Sequence, residues 1–393
     1  MKYALITFGI GGTAIALIEV FNRRAHLQQF VDALKWKLRA LLHAHPLPRN
    51  LTGWNPAPST KDNDVWEQET RRVYSYWMYL QPFFKTKGYL IFEPMNDSQW
   101  FQLIPARFEH PTPSKRRSDY PYSRKGYTDD KSLQFTYFST RVWPARDFDG
   151  NEVVIRIVSD KEPSEELLIW RRLDSPTLRN HARNRTIPVL EYLEFDGLIF
   201  IVMPWWSSPG QNDFATCAEV LNMADYVLDY VDFLHEHRIV HRDLDVRNMG
   251  LNIVNNGTLD YPKGNHNPDE ALYAFMDFGF SLIYPYETQL DGVTTTLRYG
   301  WEIEDVHPER NPFKLEVHCV VERLQFYVRV VEKHIPQIGP FFDDIVNAEE
   351  AERPFAREVL QRFRQMKASL TPEQLNAQLQ DRYWLDGKFK AKR

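Results

Sequence analysis

Residues Ile239–Asn252 read IVHRDLDVRNMGLN, with an acid at Asp243 and an amide at Asn248 just after the pair His241-Arg242. Two readings compete for this segment. A short polar run between apolar ones is a turn at a helix end, where Asp and Asn bond the local backbone. It is also what a phosphoryl-transfer loop needs. Such a loop requires a carboxylate to accept the proton of an attacking hydroxyl and a hard oxygen donor for a divalent cation. Taken alone, the segment does not decide.

Its flanks narrow the choice. Upstream, Cys217–His237 reads as one long helix ending in FLHEHRIV, and downstream FMDFGFS carries Asp277-Phe278-Gly279. Earlier still the pattern is that of strands. Residues 134–145 and 151–159 flank the turn DFDG at 147–150, and residues 189–195 and 198–204 flank Asp196-Gly197, a strong hairpin signal. Between these pairs SEELLIWRRLD (164–174) reads as a helix with Ser164 as its N-cap. Beyond residue 300 the pattern is mostly helical. The order is a small β-rich part followed by a larger helical one.

Bulk composition is compatible with a sizeable core. The chain has 393 residues, 43% hydrophobic and 14% aromatic. With 48 basic and 53 acidic residues its charge is nearly balanced, so no global field favours nucleic acid. Two cysteines, Cys217 and Cys319, argue against a disulfide-stapled secreted protein.

The ordered set His241-Arg242-Asp243-Leu244, Asn248 and Asp277-Phe278-Gly279 resembles the signature of the eukaryotic protein kinase-like superfamily. Within it, the texture is similar to the divergent kinase-like proteins of mushroom-forming fungi. Three passages carry that likeness: VWEQETRRVYSYWMYLQPFFKTKGYLIFEP (65–94), RVWPARDFDGNEVVIRIVSDKEPSEELLIWRRL (141–173), and LIFIVMPWW (198–206) continued by NPFKLEV (311–317). The resemblance implies an α+β, bilobal fold with a small β-rich N-lobe and a larger helical C-lobe. It also implies ATP and Mg²⁺ as cofactors.

Position by position, the resemblance makes Asp243 the base, Asn248 and Asp277 the metal ligands, and Arg242 the partner of a phosphorylated segment at Thr294-Thr295-Thr296. Arg156 stands where the family carries a lysine, with Glu166 as its carboxylate (Glu165 if the register slips) and Lys161 as a nearby substitute. Met203 precedes a hinge, Pro204–Trp206, whose Pro204 carbonyl and Trp206 amide would contact adenine. Glu302 in YGWEI would pair with Arg353 in the helical lobe.

Several departures weaken the nucleotide clamp. QFTYFSTRV (134–142), where a glycine-rich loop would cover phosphates, has no glycine, so backbone amides approach less closely. Arginine at 156 keeps the charge but presents a planar fork instead of an ammonium. Glu316 replaces an Asp, Trp301 replaces a Pro, Asp245 stands where a Ser/Thr-type lysine would, and Asn255–Ala271 is an enlarged loop. The expected activity is slow phosphoryl transfer to a protein hydroxyl, Ser/Thr in preference to Tyr. The alternative is a catalytically impaired pseudokinase serving as a nucleotide-binding or protein-interaction scaffold. The protein substrate is not legible, and no nucleic-acid partner is expected.

The expected domains are a membrane-anchor or signal-like helix (1–21), an amphipathic helix and linker (22–63), an N-terminal extension with a mobile loop at 108–132 (64–133), the kinase-like domain (134–370) and a tail (371–393). YALITFGIGGTAIALI (3–18) lacks charge and as a helix spans about 24 Å, slightly short of a ~30 Å hydrocarbon core. Arg23, Arg24, Lys35, Lys37 and Arg39 follow it, which would leave the kinase-like domain in the cytosol, with membrane contact through residues 3–21. A cleaved signal peptide and a helix packed on the domain fit the same residues.

Overall fold

A computed structural model describes residues 31, 34–41, 43, 46–55, 63–96, 99, 101–106, 120–126, 133–136, 139–209, 214–254, 266–300, 308–379, 381–385 and 387–391. The candidate membrane segment therefore lies outside the described residues. Among the described residues no helix is long and apolar enough to cross a membrane. The chain divides into two units, Met1–Pro48 with Pro56–Phe83, and Arg49–Asn55 with Phe84–Arg393.

In the first unit, residues 34–41 are helical and α1 begins at Asn63, running to Thr86. Pro82 sits inside α1, where it has no N–H to offer the carbonyl of Met78. Arg39 supplies the missing donor: its Nη2 donates to Met78 O at 2.7 Å and its Nε to Tyr79 O at 2.8 Å. A helix defect is thus repaired by a side chain from another segment.

The second unit is a mixed α/β body. Its sheet is antiparallel and five-stranded, built from β1 (Tyr89–Ile91), β3 (Val142–Asp147), β4 (Glu152–Ser159), β5 (Glu191–Phe195) and β6 (Leu198–Pro204). The strand order is β1-β3-β4-β6-β5. One of the sheet's two edge strands, β1, thus comes from the extension that precedes residue 134. Two tight turns set the register. Gly150, at φ 84°, follows an Asp147 whose carboxylate accepts the amides of Asp149 and Asn151. Asp196 and Gly197, at φ 55° and 86°, join β5 to β6 in the left-handed conformation that a two-residue hairpin requires. Helix α2 (Glu165–Leu173) starts on Ser164, whose hydroxyl accepts the amide of Leu167 at 3.0 Å.

Within the expected mobile loop, residues 120–126 are built into the fold. Strand β2 (Arg124–Lys125) runs parallel to β8 (Ile253–Val254). The Arg124 amide donates to Asn252 O at 2.9 Å and the Gly126 amide to Val254 O at 2.7 Å. Sequence reading missed this strand because a two-residue ladder leaves no periodicity.

The helical portion holds α3 (Cys217–Glu236), α4 (Pro312–Val328), α5 (Ile338–Val346) and α6 (Ala356–Ala368). Their apolar faces share one core, in which Val220, Leu221, Phe233, Leu234, Val321, Val328, Phe342 and Phe363 are fully buried. On the outer side of α3, Arg183, Arg357 and Arg364 lie against Asp225, Asp229, Asp232 and Glu236. The tail closes on this body: Cys217 N donates to Ala377 O, Leu379 N to Ala215 O, and Trp384 lies under the Arg329 guanidinium at 4.2 Å. A hairpin of β10 (Asp381–Leu385) and β11 (Lys388–Ala391) ends the chain. Its short, charged strands gave no clear sequence signal.

Candidate functional site

The loop at Ile239–Asn252 is held from both ends. Ile239 and Val240 pair antiparallel with Ile283 and Leu282, which tethers the loop to the segment after Asp277-Phe278-Gly279. At the other end, β7 (Met249–Leu251) pairs with β9 (Tyr273–Phe275), and Met276 N donates to Asn248 O at 2.9 Å. The two motifs, about thirty residues apart in sequence, are therefore adjacent because both ends of each are sheet-bonded to the other.

Inside the loop each polar residue has a distinct task. His241 is fully buried, its Nε2 lies 3.0 Å from Met276 O, and its ring lies 5.1 Å from that of Phe278. The Phe278 ring meets Trp170 of α2 edge-on at 4.9 Å, so α2, Phe278 and His241 form one packed column. Asn248 Nδ2 donates to Asp243 O at 2.7 Å and to Asp243 Oδ2 at 2.9 Å. Asp245 accepts the amide of Arg247 and caps the short helical turn 246–248, so it is engaged structurally.

Glu316 supports the loop from α4. It is completely buried; Oε1 accepts the Arg242 amide at 2.7 Å and the Tyr299 hydroxyl at 3.4 Å, while Oε2 lies 2.7 Å from His235 Nε2. Arg242 itself stands at φ 63°, a conformation that only firm support sustains in a non-glycine residue. Its guanidinium donates to the carbonyls of Phe280 and Arg298. Arg242 thus ties down backbone on both flanks of the intervening segment. Thr294 Oγ1 donates instead to Glu309, and Thr295 Oγ1 accepts the amide of Leu297.

Asp277, at φ 69°, faces Arg156 of β4. Arg156 Nη2 donates to Asp277 Oδ1 at 2.5 Å and Arg156 Nε to Glu166 Oε1 at 2.6 Å. The register is therefore Glu166, whereas Glu165 is exposed. Lys161 packs its stem against Gly197 at the β5–β6 turn and is not part of the cluster. Asp277 Oδ1 also accepts the Gly279 amide at 3.2 Å.

These contacts order the charges. Burial alone would raise the Asp277 carboxyl, but Arg156, the Gly279 amide and His241 together bring it below the ordinary carboxylate value. Burial also works against the Arg156 charge, yet Asp277 and Glu166 hold it protonated above the usual arginine range. Asp243 goes the other way: burial raises its carboxyl, and the Asn248 hydrogen bond and His241 offset this only in part. The pair is split into a firmly ionised acid and a more basic one.

The segment after β6 leaves one backbone amide unpaired. Trp205 N donates to Glu152 O at 3.0 Å and Ser207 N to Ile253 O at 2.9 Å. Between them the amide of Trp206, a residue 5% exposed, makes no hydrogen bond among the described residues. A buried, unpaired backbone N–H is rare and suits a ligand acceptor. The Trp206 indole turns away and donates to Pro121 O at 3.0 Å. Beneath it a Cβ on Gly250 would lie 2.8 Å from Trp206 Cβ, so the close approach of these two segments needs glycine there. Met203 is buried and registers with Val154 of β4.

Two residues that sequence reading passed over also belong to this neighbourhood. Arg141 lies at the end of the glycine-free cover, with Nη1 3.7 Å from Glu166 Oε2; burial lowers its pKa, and the charges of Glu166, Arg156 and Asp277 act on it. Gly300 donates its amide to Arg242 O at 2.6 Å, and a Cβ there would come within 2.7 Å of Asp243 Cγ. Arg141 could have been suspected as a cation inside the run that the resemblance sets over phosphates. Gly300 had no signal, because its role comes from chain return. Glu302 lies outside the described residues, and Arg353 donates Nε to Ala348 O at 3.2 Å.

Among the described residues no group of three or more His, Cys, Asp or Glu forms a metal cage. Asp277 Oδ2 and Asn248 Oδ1 nonetheless carry no hydrogen bond among the described residues, and they are hard oxygens of the type Mg²⁺ takes when phosphates supply the other ligands. Comparison of the chain with known family models finds no match, and comparison with curated proteins finds none. The site's own chemistry carries the functional reading.

Proposed function

We propose that this chain is a bilobal, kinase-like phosphotransferase that binds ATP and moves its terminal phosphoryl group slowly to a protein hydroxyl, Ser/Thr in preference to Tyr. The observation that carries the reading is the meeting of Asp243, Asn248, Asp277, Arg156 and Glu166, drawn from separate segments, beside an unpaired hinge amide at Trp206. Phosphoryl transfer asks a protein mainly for positioning and charge stabilisation. Asp243, with its raised pKa, is suited to accept the hydroxyl proton, and Asn248 fixes its orientation. Arg156, with Nη1 uncommitted among the described residues, would meet phosphate oxygens. Mg²⁺ would serve the transfer step rather than binding, by neutralising charge on the transferring phosphate, with Asp277 Oδ2 and Asn248 Oδ1 as the protein oxygens open to it.

A second reading, nucleotide binding without transfer, is favoured by two contacts. Arg156 already neutralises Asp277, and Gly300 packs directly on the Asp243 side chain. The deciding experiment incubates purified chain with radiolabelled ATP, Mg²⁺ and a mixed protein acceptor. Label transfer should fall by about 10²–10⁴-fold in Asp243→Asn, the contribution expected of a positioned base. Wild-type transfer in that variant would sink the mechanism. Nucleotide binding with no transfer by either protein establishes the second reading.

A further inference from the structure

Arg156 is more than a conservative stand-in for lysine. Its Nε is committed to Glu166 and its Nη2 to Asp277, at 2.6 and 2.5 Å, while Nη1 has no hydrogen bond among the described residues. A guanidinium can do this because its donors form a fixed planar fork. Asp277 Oδ1 is doubly occupied, by Nη2 and by the Gly279 amide. A divalent ion on that oxygen would have to displace a buried guanidinium and leave it one carboxylate short. An ion on Oδ2 alone would sit beside a fixed positive charge that burial shields little. Arg141, 3.7 Å from Glu166, adds a second cation on the cover side.

We propose that Arg156 acts as a built-in cation between Asp277 and a nucleotide phosphate, so that the site binds a nucleoside di- or triphosphate without needing a divalent metal. The free Nη1 donates to the phosphate, and Nη2 carries out the neutralisation of Asp277 that a bound ion would otherwise provide. The inference rests on the nucleotide-site reading above and deepens it. It concerns binding and leaves the transfer step to Asp243.

The test is competition of ADP and of ATP against a fluorescent N-methylanthraniloyl-ADP probe, in excess EDTA and in excess Mg²⁺. For the wild-type chain the two dissociation constants should agree within about threefold. In Arg156→Lys, Mg²⁺ should tighten binding by about tenfold or more, because an ammonium cannot hold both carboxylates and a phosphate in one plane. A second readout needs no nucleotide: Mn²⁺ titrated into wild-type chain should keep the electron paramagnetic resonance signal of the free ion. Tightening of wild-type binding by Mg²⁺ of tenfold or more overturns the inference alone, as does Mn²⁺ uptake by wild type that Asp277→Asn abolishes. Absence of ADP and ATP binding under both conditions overturns the nucleotide-site reading with it. The wild-type measurements stand whether or not a variant folds.

Discussion

Replacing Arg156 by methionine is the most informative single perturbation, because it removes the charge and every guanidinium donor while keeping an unbranched, flexible apolar stem. Arg156 and Glu166 are 6% and 5% exposed, so the variant strands the Glu166 carboxylate in a site that water hardly reaches. Breaking one side of a buried ion pair costs about 3–5 kcal/mol. The Asp277 contact adds less, since that side chain is 35% exposed and solvent screens it. A loss of about 3–5 kcal/mol corresponds to a fall in Tm of about 4–6 °C for a chain of this size. Urea unfolding followed by tryptophan fluorescence and by circular dichroism gives the free-energy change directly. The second half of the cycle is Arg156→Met with Glu166→Gln. Removing the stranded charge should return about 1–3 kcal/mol, the coupling expected of residues in direct contact. A single-variant loss below about 1 kcal/mol, the value of a surface pair, would refute the reasoning. So would a double variant no more stable than Arg156→Met, since the penalty would then not come from the stranded carboxylate.

Other outcomes follow from the same contacts. Asp243→Asn should raise Tm at pH 7: a carboxyl whose folded pKa is raised costs stability above that pKa and regains it as pH falls through it. The wild-type chain should therefore gain on the variant between pH 7 and the carboxylate range, whereas Asp277, lowered when folded, contributes stability above the unfolded carboxylate value and loses it as pH falls through its folded one. Equal pH profiles for wild type and Asp243→Asn would contradict this. Glu316→Ala leaves the Arg242 amide, the Tyr299 hydroxyl and His235 Nε2 without their acceptor, at about 1–3 kcal/mol for each buried group, and urea unfolding should register the sum as a severe loss. Gly300→Ala should leave the fold intact by circular dichroism but lower phosphoryl transfer by about tenfold or more, since the new methyl must displace Asp243. Arg39→Ala should cost about 0.5–1.5 kcal/mol in wild type and less in a Pro82→Ala background, where the helix supplies its own donor to Met78.

The parts legible in the sequence are those with local signatures. The hairpin at Asp196-Gly197, the N-cap at Ser164 and the helix Cys217–Glu236 each announce themselves within a few residues, and the structure has them where the pattern puts them. In the candidate site, the pairing of Arg156 with Glu166 that the resemblance implies is present, whereas Asp277, expected only as a metal ligand, is a second partner of Arg156 that no local pattern announces. What stayed hidden depends on chain return. Nothing near residue 300 says that its backbone will lie against Asp243, and nothing in residues 120–126 says that they will pair with β8. Arg242 shows the opposite failure: the motif suggests a partner for a phosphate, whereas its guanidinium is engaged by the carbonyls of Phe280 and Arg298.

The two departures from the kinase-like pattern, the missing glycines and the arginine at 156, have a common physical reading. A glycine-rich cover brings backbone amides onto phosphate oxygens; the run 134–142, in which every residue carries a Cβ, does not permit so close an approach. The donors lost there must be replaced if a phosphate is to be held at all. A guanidinium supplies more directed donors than an ammonium, and Arg156 retains one fork nitrogen after satisfying both of its carboxylates. Arg141, at the base of that same cover, adds a second positive side chain near Glu166. Phosphate recognition would thereby move from backbone amides to side-chain cations. Side-chain donors are charged and bind the ground-state phosphates strongly, but binding that is equal in ground and transition states does not raise turnover. On this account a tight nucleotide site and slow transfer are consequences of one substitution pattern, and Arg156→Lys should weaken metal-free binding before it improves the rate.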